Sequence, residues 1–324
     1  MSVLTDSRTS EKFSDPDRTA DGSMRARVAL RALHTLWINT GSLCNIECRN
    51  CYIESSPKND RLVYMTAAEV AAYLDEIAML SFPTAEIGFT GGEPFMNPDI
   101  LPMLEDALSR GFSVLVLTNA MQPMMRPQIR EGLVRLHKRY GAALTLRVSL
   151  DHFTDGLHDL ERGPGSFDKA LEGMDWLASE GFTLTIAARS CWDETEDQAR
   201  AGFAELIASR GWPVDAEDPA QLVIFPEMDE TAEVPEITTA CWSILGKDPG
   251  EVMCASSRMV VKRKGADRPT VLPCTLLPYD RAFEMGATLS EAAAADSGMF
   301  DDGAVKLCHP HCSKFCVLGG ASCS

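Results

Sequence analysis

Six short apolar runs between residues 35 and 226 alternate with stretches whose apolar residues recur at helical spacing. The runs are typical of buried strands and cover residues 35–39, 86–90, 113–118, 144–150, 183–188 and 221–225. Strands that alternate with helices pair in parallel through right-handed crossovers, so the pattern predicts an α/β fold. The sheet either stays open and doubly wound or curls into a partial barrel. Both forms place functional residues at the C-terminal ends of the strands.

Helix ends are visible within this pattern. Thr66 and Glu69 have the spacing of a capping box, which predicts a helix that begins after Thr66. Gly211 follows the last helical stretch, where a glycine is expected to close a helix. The regularity stops after residue 226. We therefore predict a disordered leader over residues 1–33, a core over 34–226, an acidic linker over 227–240 and a cysteine-rich domain over 241–324.

The chain is acidic, with a formal net charge of −17 from 47 acidic and 30 basic residues. A nucleic-acid binder must neutralise phosphates, so this charge argues against a nucleic-acid partner. No run of apolar residues is long enough for a membrane span, and the polar N-terminus lacks the apolar core of a signal peptide. These observations predict a cytoplasmic protein with no membrane partner.

Eleven cysteines are unevenly placed: three lie within residues 44–51 and six within residues 254–323. Clustered cysteines in a reducing compartment more often hold metal than form disulfides. The two others are Cys191 and Cys241. Cys191 is either a thiol that donates a hydrogen atom to a substrate radical or a small buried apolar residue, which is the more common role.

Cys44, Cys48 and Cys51 come directly after the first predicted strand. Three thiolates at this spacing can bind one metal ion or one small metal cluster. A zinc site would need a fourth ligand, usually from a second close pair. On a four-iron cube, three cysteines instead leave one iron open to a small chelating molecule, whereas such clusters normally have four protein ligands. A zinc loop and an open iron–sulfur cluster are the two alternatives.

Polar residues follow the next strands at the same predicted edge. Gly91, Gly92, Glu93 and Pro94 end the second strand, where paired glycines allow close approach of a ligand and a carboxylate can accept from an ammonium group. The third strand ends at Asn119, and the fourth ends with Ser149 and Asp151, with Arg162 further along the chain. Asn119, Ser149 and Asp151 are alternatively simple turn residues. Arg189, after the fifth strand, holds either a ligand carboxylate or a surface ion pair.

These motifs together resemble the radical S-adenosylmethionine (radical SAM) superfamily. The resemblance implies that Cys44, Cys48 and Cys51 hold a [4Fe–4S] cluster and that SAM chelates its fourth iron. It also implies a partial (β/α)6 TIM-like barrel with a small C-terminal iron–sulfur domain. By the same resemblance, residues 91–94 bind the amino group of SAM through backbone and Glu93, and Asn119 lines the SAM pocket. Ser149 or Asp151 contacts the ribose, with Arg162 nearby.

Two positions depart from the family pattern. Asn50 stands where the family usually has an aromatic residue or histidine, and we expect Tyr52 to supply the ring near the adenine. His152 replaces the usual glycine after Asp151, which could alter the local turn.

The C-terminal cysteines resemble those of SPASM or shorter "twitch" extensions, although the spacings differ. The resemblance implies one or possibly two auxiliary [4Fe–4S] clusters bound by Cys254, Cys274, Cys308, Cys312, Cys316 and Cys323. A structural zinc site is the alternative, with His309 and His311 as further ligands.

Three functions are compatible with these residues. The first is a radical SAM maturase, of oxidoreductase type, that acts on a peptide or protein and receives electrons from a flavodoxin or ferredoxin. The second is a radical SAM enzyme that acts on a small metabolite or cofactor precursor. The third is a non-catalytic iron–sulfur or zinc protein, which would have no use for a SAM pocket.

Overall fold

The computed structural model describes residues 11–190, 192–226 and 233–319. Its strands are β1 Arg27–Val28, β2 Thr35–Asn39, β3 Glu86–Thr90, β4 Ser113–Thr118, β5 Leu144–Ser149, β6 Thr183–Ser190, β7 Leu222–Pro226, β8 Ser257–Val261, β9 Thr270–Leu272, β10 Phe300–Asp301 and β11 Ala304–Lys306. Its helices are α1 Ala67–Leu80, α2 Ile100–Ser109, α3 Gln122–Met125, α4 Pro127–Tyr140, α5 Asp155–Arg162, α6 Ser166–Ser179, α7 Glu196–Arg210, α8 Cys241–Leu245 and α9 Leu289–Ala293.

Eight strands form the main sheet in the order β7-β6-β5-β4-β3-β2-β8-β9. All neighbours pair in parallel except β8 and β9. The six predicted strands are confirmed, with ends that shift by one or two residues, and so is the α/β class. Within the described residues the sheet does not close on itself, since β7 and β9 are its two edges. This open, curled arrangement is the partial barrel that the sequence indicated.

Strand β8 lies where the sequence predicted a separate cysteine-rich domain. It pairs in parallel with β2, with Leu36 opposite Arg258. The sheet therefore extends past the predicted boundary at residues 226–241. Short strands joined by a hairpin give little periodic signal, so the pattern alone did not indicate β8 and β9. The division into domains stays a prediction.

The two faces of the sheet pack differently. Leu36 and Ile38 of β2 join the large core beneath the helices, together with Val70 and Leu74 of α1. Trp37, between them in sequence, faces the other side and packs with Leu115 and Met259. A Cβ at Gly88 of β3 would stand 2.4 Å from the Trp37 ring, so the indole requires a glycine beside it. The face of the sheet that is turned away from the helices is thus partly filled by the Trp37 side chain.

The predicted helix signals are confirmed where they were most specific. Thr66 caps α1 through the reciprocal bonds of a capping box with Glu69. Gly211 closes α7 with a left-handed φ of +68°. Among the residues that the structure describes, none of the helices combines the length and apolar character that a membrane crossing requires.

Residues 11–33 differ from the disordered leader expected over residues 1–33. Arg25 is buried and its Nη2 lies 2.6 Å from Oε1 of Glu236. Val28 pairs with Val305 in a small antiparallel sheet of β1, β11 and β10. The polar composition was misleading because the partners of this segment lie more than two hundred residues later in the chain. Residues 233–240 of the expected linker are described as well, and residues 227–232 lie outside the described residues.

Candidate active site

One cavity opens at the C-terminal edge of the parallel strands. Its wall brings together most of the residues predicted from the motifs: Cys44, Cys48, Cys51, Tyr52, Gly91, Gly92, Asn119, Ser149, Asp151 and Arg162. Glu93 and Pro94 are buried behind this wall. The cavity also has lining residues without a sequence signal, namely Arg147, Met253, Thr275, Leu276 and Phe315. The last four come from the C-terminal region, and their presence depends on the pairing of β8 with β2.

The three thiols share one side of this cavity. The side-chain amide of Asn119 lies 3.8 Å from Sγ of Cys44, and the backbone N–H of Ser55 lies 3.4 Å from Sγ of Cys51. Burial raises the pKa of Cys44 to about 12, and the nearby Glu93 carboxylate contributes to the shift. Burial also raises the pKa of Cys48, partly offset by the Arg162 guanidinium. The metal-free thiols of Cys44 and Cys48 are therefore protonated at neutral pH, and metal binding must displace their protons.

The donor set fits an iron–sulfur cluster. In the described part of the chain, no three Cys, His, Asp or Glu side chains surround a position suited to a single metal ion. The thiolates around a four-iron cube each bind a different iron, so they lie farther apart than the ligands of a single metal ion. Cys44, Cys48 and Cys51 line one cavity and would hold such a cluster by three of its irons, which would leave one iron without a protein ligand.

The cysteine loop is fastened to α5. Nδ2 of Asn50 donates to Oε2 of Glu161 at 2.9 Å, and the backbone N–H of Arg49 donates to the Glu161 carbonyl at 2.8 Å. Asn50 thus has an anchoring contact at the position where the family usually has a ring. The hydroxyl of Tyr52 lies 3.5 Å from Oγ1 of Thr90. Asn50 fixes the loop, while Tyr52 lies on the cavity wall.

The glycine pair allows a close approach between two backbones. A Cβ at Gly92 would lie 2.1 Å from the carbonyl oxygen of Leu43, and one at Gly91 would lie 2.5 Å from that of Gly41. Gly91 also has a φ of +136°, which side chains disfavour. The N–H of Gly92 donates to Gly41 at 2.8 Å and that of Glu93 to Leu43 at 3.1 Å. The glycines therefore hold the segment that leads to Cys44, in addition to facing the cavity.

Glu93 is only 1% exposed and ties β3 to β4. Its carboxylate accepts from the Thr118 hydroxyl at 2.9 Å, from the N–H of Asn119 at 2.9 Å and from the N–H of Phe95 at 3.2 Å. Burial raises its pKa to about 7 in spite of these three bonds. Pro94 begins the short 3₁₀ turn Pro94–Met96 that Glu93 caps. Glu93 thus positions the end of β4, where Asn119 faces the thiols.

A buried ion-pair network lies beside Cys48. Asp151, after β5, accepts two hydrogen bonds from Arg162 of α5 and lies 3.5 Å from Nε of Arg189. Burial alone would raise the pKa of Asp151, but the two guanidinium groups outweigh it and the pKa is lowered. Arg189 is therefore part of a buried pair at the cavity rather than a surface one. Its Nη1 is buried without a hydrogen-bond partner among the described residues.

The histidine in place of the usual glycine has a local role. Nε2 of His152 lies 2.8 Å from Oε1 of Glu194, and its Nδ1 accepts from the N–H of Thr154 at 2.9 Å. These bonds hold the turn between β5 and α5. The turn keeps Asp151 on the cavity side, so the substitution is accommodated by the histidine's own hydrogen bonds.

The C-terminal cysteines form a second buried group. Cys254, Cys274, Cys308 and Cys312 are buried, and Cys316 is half-buried. Burial raises the pKa of Cys312 well above its ordinary value, and the thiols of Cys274, Cys254 and Cys308 add to the shift, so all three lie within electrostatic range of Cys312. Cys191 and Cys323 lie outside the described residues.

Other candidate ligands lie next to this group. The ring centroids of His309 and His311 are 4.5 Å apart, and burial lowers the pKa of His309 to about 4. Cys241 is half-buried, and its sulfur lies 3.4 Å from the N–H of Thr238.

Fold and site together define a class of protein: an open parallel α/β sheet that gathers three thiols, a glycine pair and a buried Asp–Arg pair at its C-terminal edge. Residues 38–189 match the family model described as the Radical SAM superfamily. The chain accordingly carries a radical SAM domain over these residues.

Known proteins resemble this chain over parts of their length. An AdoMet-dependent heme synthase of Methanosarcina barkeri is 29% identical over 147 residues, which cover 44% of this chain and 38% of the relative. The subtilosin biosynthesis protein AlbA of Bacillus subtilis is 31% identical over 145 residues, which cover 44% of this chain and 30% of the relative. The matches thus span about a third of these relatives.

A solved structure shares the fold. The structure of SuiB from Streptococcus suis bound to S-adenosylmethionine superposes with a TM-score of 0.60 at 13% identity, and covers 82% of this chain and 66% of SuiB.

Proposed function

We propose that this protein cleaves SAM reductively and starts radical chemistry on a bound substrate. The observation that carries the proposal is the shared cavity of Cys44, Cys48 and Cys51 within a radical SAM domain. When bound, a reduced [4Fe–4S] cluster supplies one electron to the sulfonium of SAM, which yields methionine and a 5′-deoxyadenosyl radical that takes a hydrogen atom from the substrate.

The chain's own residues hold and orient the reactants. The three thiolates bind the cluster, and the backbone around Gly91–Gly92 receives the amino group of SAM, while Glu93 holds the neighbouring end of β4. Ser149 and Asp151 face the ribose, and Arg162 holds Asp151 in place. Tyr52 packs against the adenine. Positioning the target carbon and excluding water are the main tasks of such a cavity.

The C-terminal cysteines bind an auxiliary [4Fe–4S] cluster in this proposal. Cys254, Cys274, Cys308 and Cys312 are the described thiols that lie together. Cys316, and Cys323 outside the described residues, belong to the candidate set as well. A cluster held by these thiols would supply an acceptor for one electron from the substrate, and the net reaction would then be an oxidation. An SPASM- or twitch-like region of this kind is typical of maturases.

We propose a peptide or protein as the substrate. AlbA is named for the biosynthesis of a bacteriocin, and SuiB has also been solved bound to a precursor peptide. The heme synthase favours the alternative, a small metabolite or cofactor precursor, because its name places a non-peptide product in a relative of similar identity. A flavodoxin or ferredoxin is the proposed electron donor, and the cytoplasm the proposed location.

The test is an anaerobic assay of the full chain. The protein is reconstituted with iron and sulfide, reduced with dithionite and given SAM, and 5′-deoxyadenosine is quantified. We expect formation that Cys48→Ala abolishes while the variant keeps its auxiliary iron, which separates loss of one site from unfolding. No 5′-deoxyadenosine from protein with full iron content, with and without candidate peptides, would favour a non-catalytic iron–sulfur protein.

A further inference from the structure

Arg258 of β8 is a fully buried cation that has no carboxylate partner among the described residues. Its residue is 1% exposed. Its Nη1 donates to the carbonyls of Cys254 at 2.6 Å and Ser257 at 2.8 Å, and Nη2 donates to that of Gly303 at 3.4 Å. Its Nε has no hydrogen-bond partner in the described part of the chain. The acidic groups that act on its charge are the thiols of Cys254 and Cys274.

Burial of the Arg258 guanidinium lowers the stability of the folded protein unless a negative charge lies nearby. Burying a guanidinium is strongly unfavourable unless it is paired, and three neutral carbonyls supply only part of the compensation. Two other buried arginines do have carboxylate partners: Arg25 has Glu236, and Arg162 has Asp151. Arg258 instead lies within electrostatic range of two thiols of the C-terminal cysteine group. The missing negative charge is therefore expected from that group.

Thiolates bound to iron would provide this charge. A four-iron cube held by four thiolates carries a net negative charge that increases when the cube is reduced, and net charge is one of the factors that set the reduction potential of such clusters. Zinc bound by four thiolates would also be anionic, but its charge does not change, since zinc has no redox chemistry. A redox measurement therefore distinguishes the two.

We propose that Arg258 is the buried counter-charge of a redox-active auxiliary iron–sulfur cluster bound through Cys254, Cys274 and Cys312, and that it raises the reduction potential of this cluster. The inference rests on the proposed auxiliary site and not on SAM cleavage. Arg258 is a positioning residue: its guanidinium bonds backbone carbonyls and contributes its charge, while the thiolates bind the iron. A fixed positive charge favours the more negative, reduced state, so the cluster accepts an electron more readily.

The test compares Arg258→Met, Arg258→Lys and the exposed control Arg31→Met, all in the full reconstituted chain. Arg31 is near Cys254 in the fold, since its N–H bonds the Ala255 carbonyl, but its side chain is 58% exposed and pairs with Asp248. The potential of the auxiliary cluster is followed by redox titration with electron paramagnetic resonance. We expect Arg258→Met to shift it by at least about 59 mV to more negative values, a tenfold loss of electron affinity for a one-electron couple.

The two other variants should stay close to the wild-type potential, because Arg258→Lys keeps the charge and Arg31→Met removes a screened one. An unchanged potential in iron-loaded Arg258→Met would overturn the proposal. So would a C-terminal region that binds no iron at all, a result that leaves SAM cleavage at the first cluster intact.

If Arg258→Met binds little iron, urea unfolding of the iron-free and iron-loaded proteins tests the proposal instead. Without iron the buried charge is uncompensated, so the Met variant should unfold at the same urea concentration as wild type or a higher one. With iron bound, Arg258→Met should unfold at a lower urea concentration than wild type. A residue that only fills space would lower the midpoint in both states, and that result would contradict the role assigned to Arg258.

Discussion

Asp151 and Arg162 form a two-point ion pair across the turn that joins β5 to α5. Nε and Nη2 of Arg162 lie 2.8 Å and 2.9 Å from the two carboxylate oxygens of Asp151. Both residues line the cavity that contains the three thiols. A guanidinium can hold both oxygens of a carboxylate at once, which an ammonium group cannot do. The geometry of this part of the site therefore depends on arginine and not on positive charge alone.

Arg162→Lys should weaken SAM binding. The substitution keeps the charge but removes the two-point contact, and loss of a charged hydrogen bond typically costs about 1.5–3 kcal/mol, or roughly tenfold to a hundredfold in Kd. Calorimetric titration of the reconstituted protein with SAM measures the change. The matched control is Arg139→Lys, whose exposed side chain lies 3.3 Å from Glu105. Equal affinity of the Arg162 variant and wild type would contradict a role in the SAM pocket.

Gly92→Ala should impair folding and cluster loading. The new Cβ would lie 2.1 Å from the Leu43 carbonyl oxygen, so the segment before Cys44 must move. We expect a lower urea midpoint and less iron at the first cluster. Gly156→Ala in the exposed first turns of α5 is the control: nothing lies within 4 Å of its Cβ, and alanine favours a helix. If both variants load iron like wild type, the close backbone approach is not needed.

His158 should make the metal-free protein less stable at mildly acidic pH. Both of its ring nitrogens are buried without a hydrogen-bond partner in the described residues, and burial lowers its pKa to about 4. The unfolded chain binds a proton near pH 6.5 and the folded protein does not, so stability falls with falling pH between about 6.5 and 4. The free energy of unfolding should therefore fall by about 2 kcal/mol between pH 7 and pH 5.

Urea unfolding at the two pH values, with wild type and His158→Phe, measures this contribution. The variant should lose less stability on acidification than wild type does. His34→Gln, at an exposed histidine, should keep the wild-type pH dependence. An identical pH dependence in the His158 variant would show that another group is responsible.

Cys254→Ala should remove the auxiliary cluster and leave the first cluster in place. Cys254 is buried within electrostatic range of Cys312, whereas Cys241 is half-buried and bonded to Thr238. We therefore expect a loss of about four iron atoms from Cys254→Ala, the content of one cube, and none from Cys241→Ala. Iron analysis together with the electron paramagnetic resonance spectrum checks both. Loss of iron in the Cys241 variant instead would move the ligand set toward α8.

The sequence predicted those parts of the structure that have local signals. The six core strands, the Thr66–Glu69 capping box and the meeting of motif residues at one sheet edge all follow from periodicity and from the geometry of parallel strands. Long-range partners have no such signal. The ordered segment around Arg25 depends on Glu236, and the buried Arg258 depends on the fold around β8. A one-dimensional pattern cannot reveal which distant residues compensate a charge.

For the paired glycines Gly91 and Gly92, the sequence predicted only one of their two roles. The pattern indicated room for a ligand, which agrees with their place on the cavity wall. It did not indicate that the carbonyls of Gly41 and Leu43 come within bonding distance on their other side. Similarly, Asn50 looked like a departure from the family pattern until its bond to Glu161 supplied a reason for it.

The parallel pairing of β2 with β8 has a practical consequence for anyone who dissects this protein. All five residues of β2 are buried, and β8 is the neighbour that covers its outer edge. A fragment that stops at residue 226 would leave the hydrogen-bonding groups of an apolar central strand exposed, a template for intermolecular β-pairing. Such a fragment is expected to aggregate although it contains the whole family match. The catalytic unit is therefore a longer stretch of chain than the family resemblance outlines.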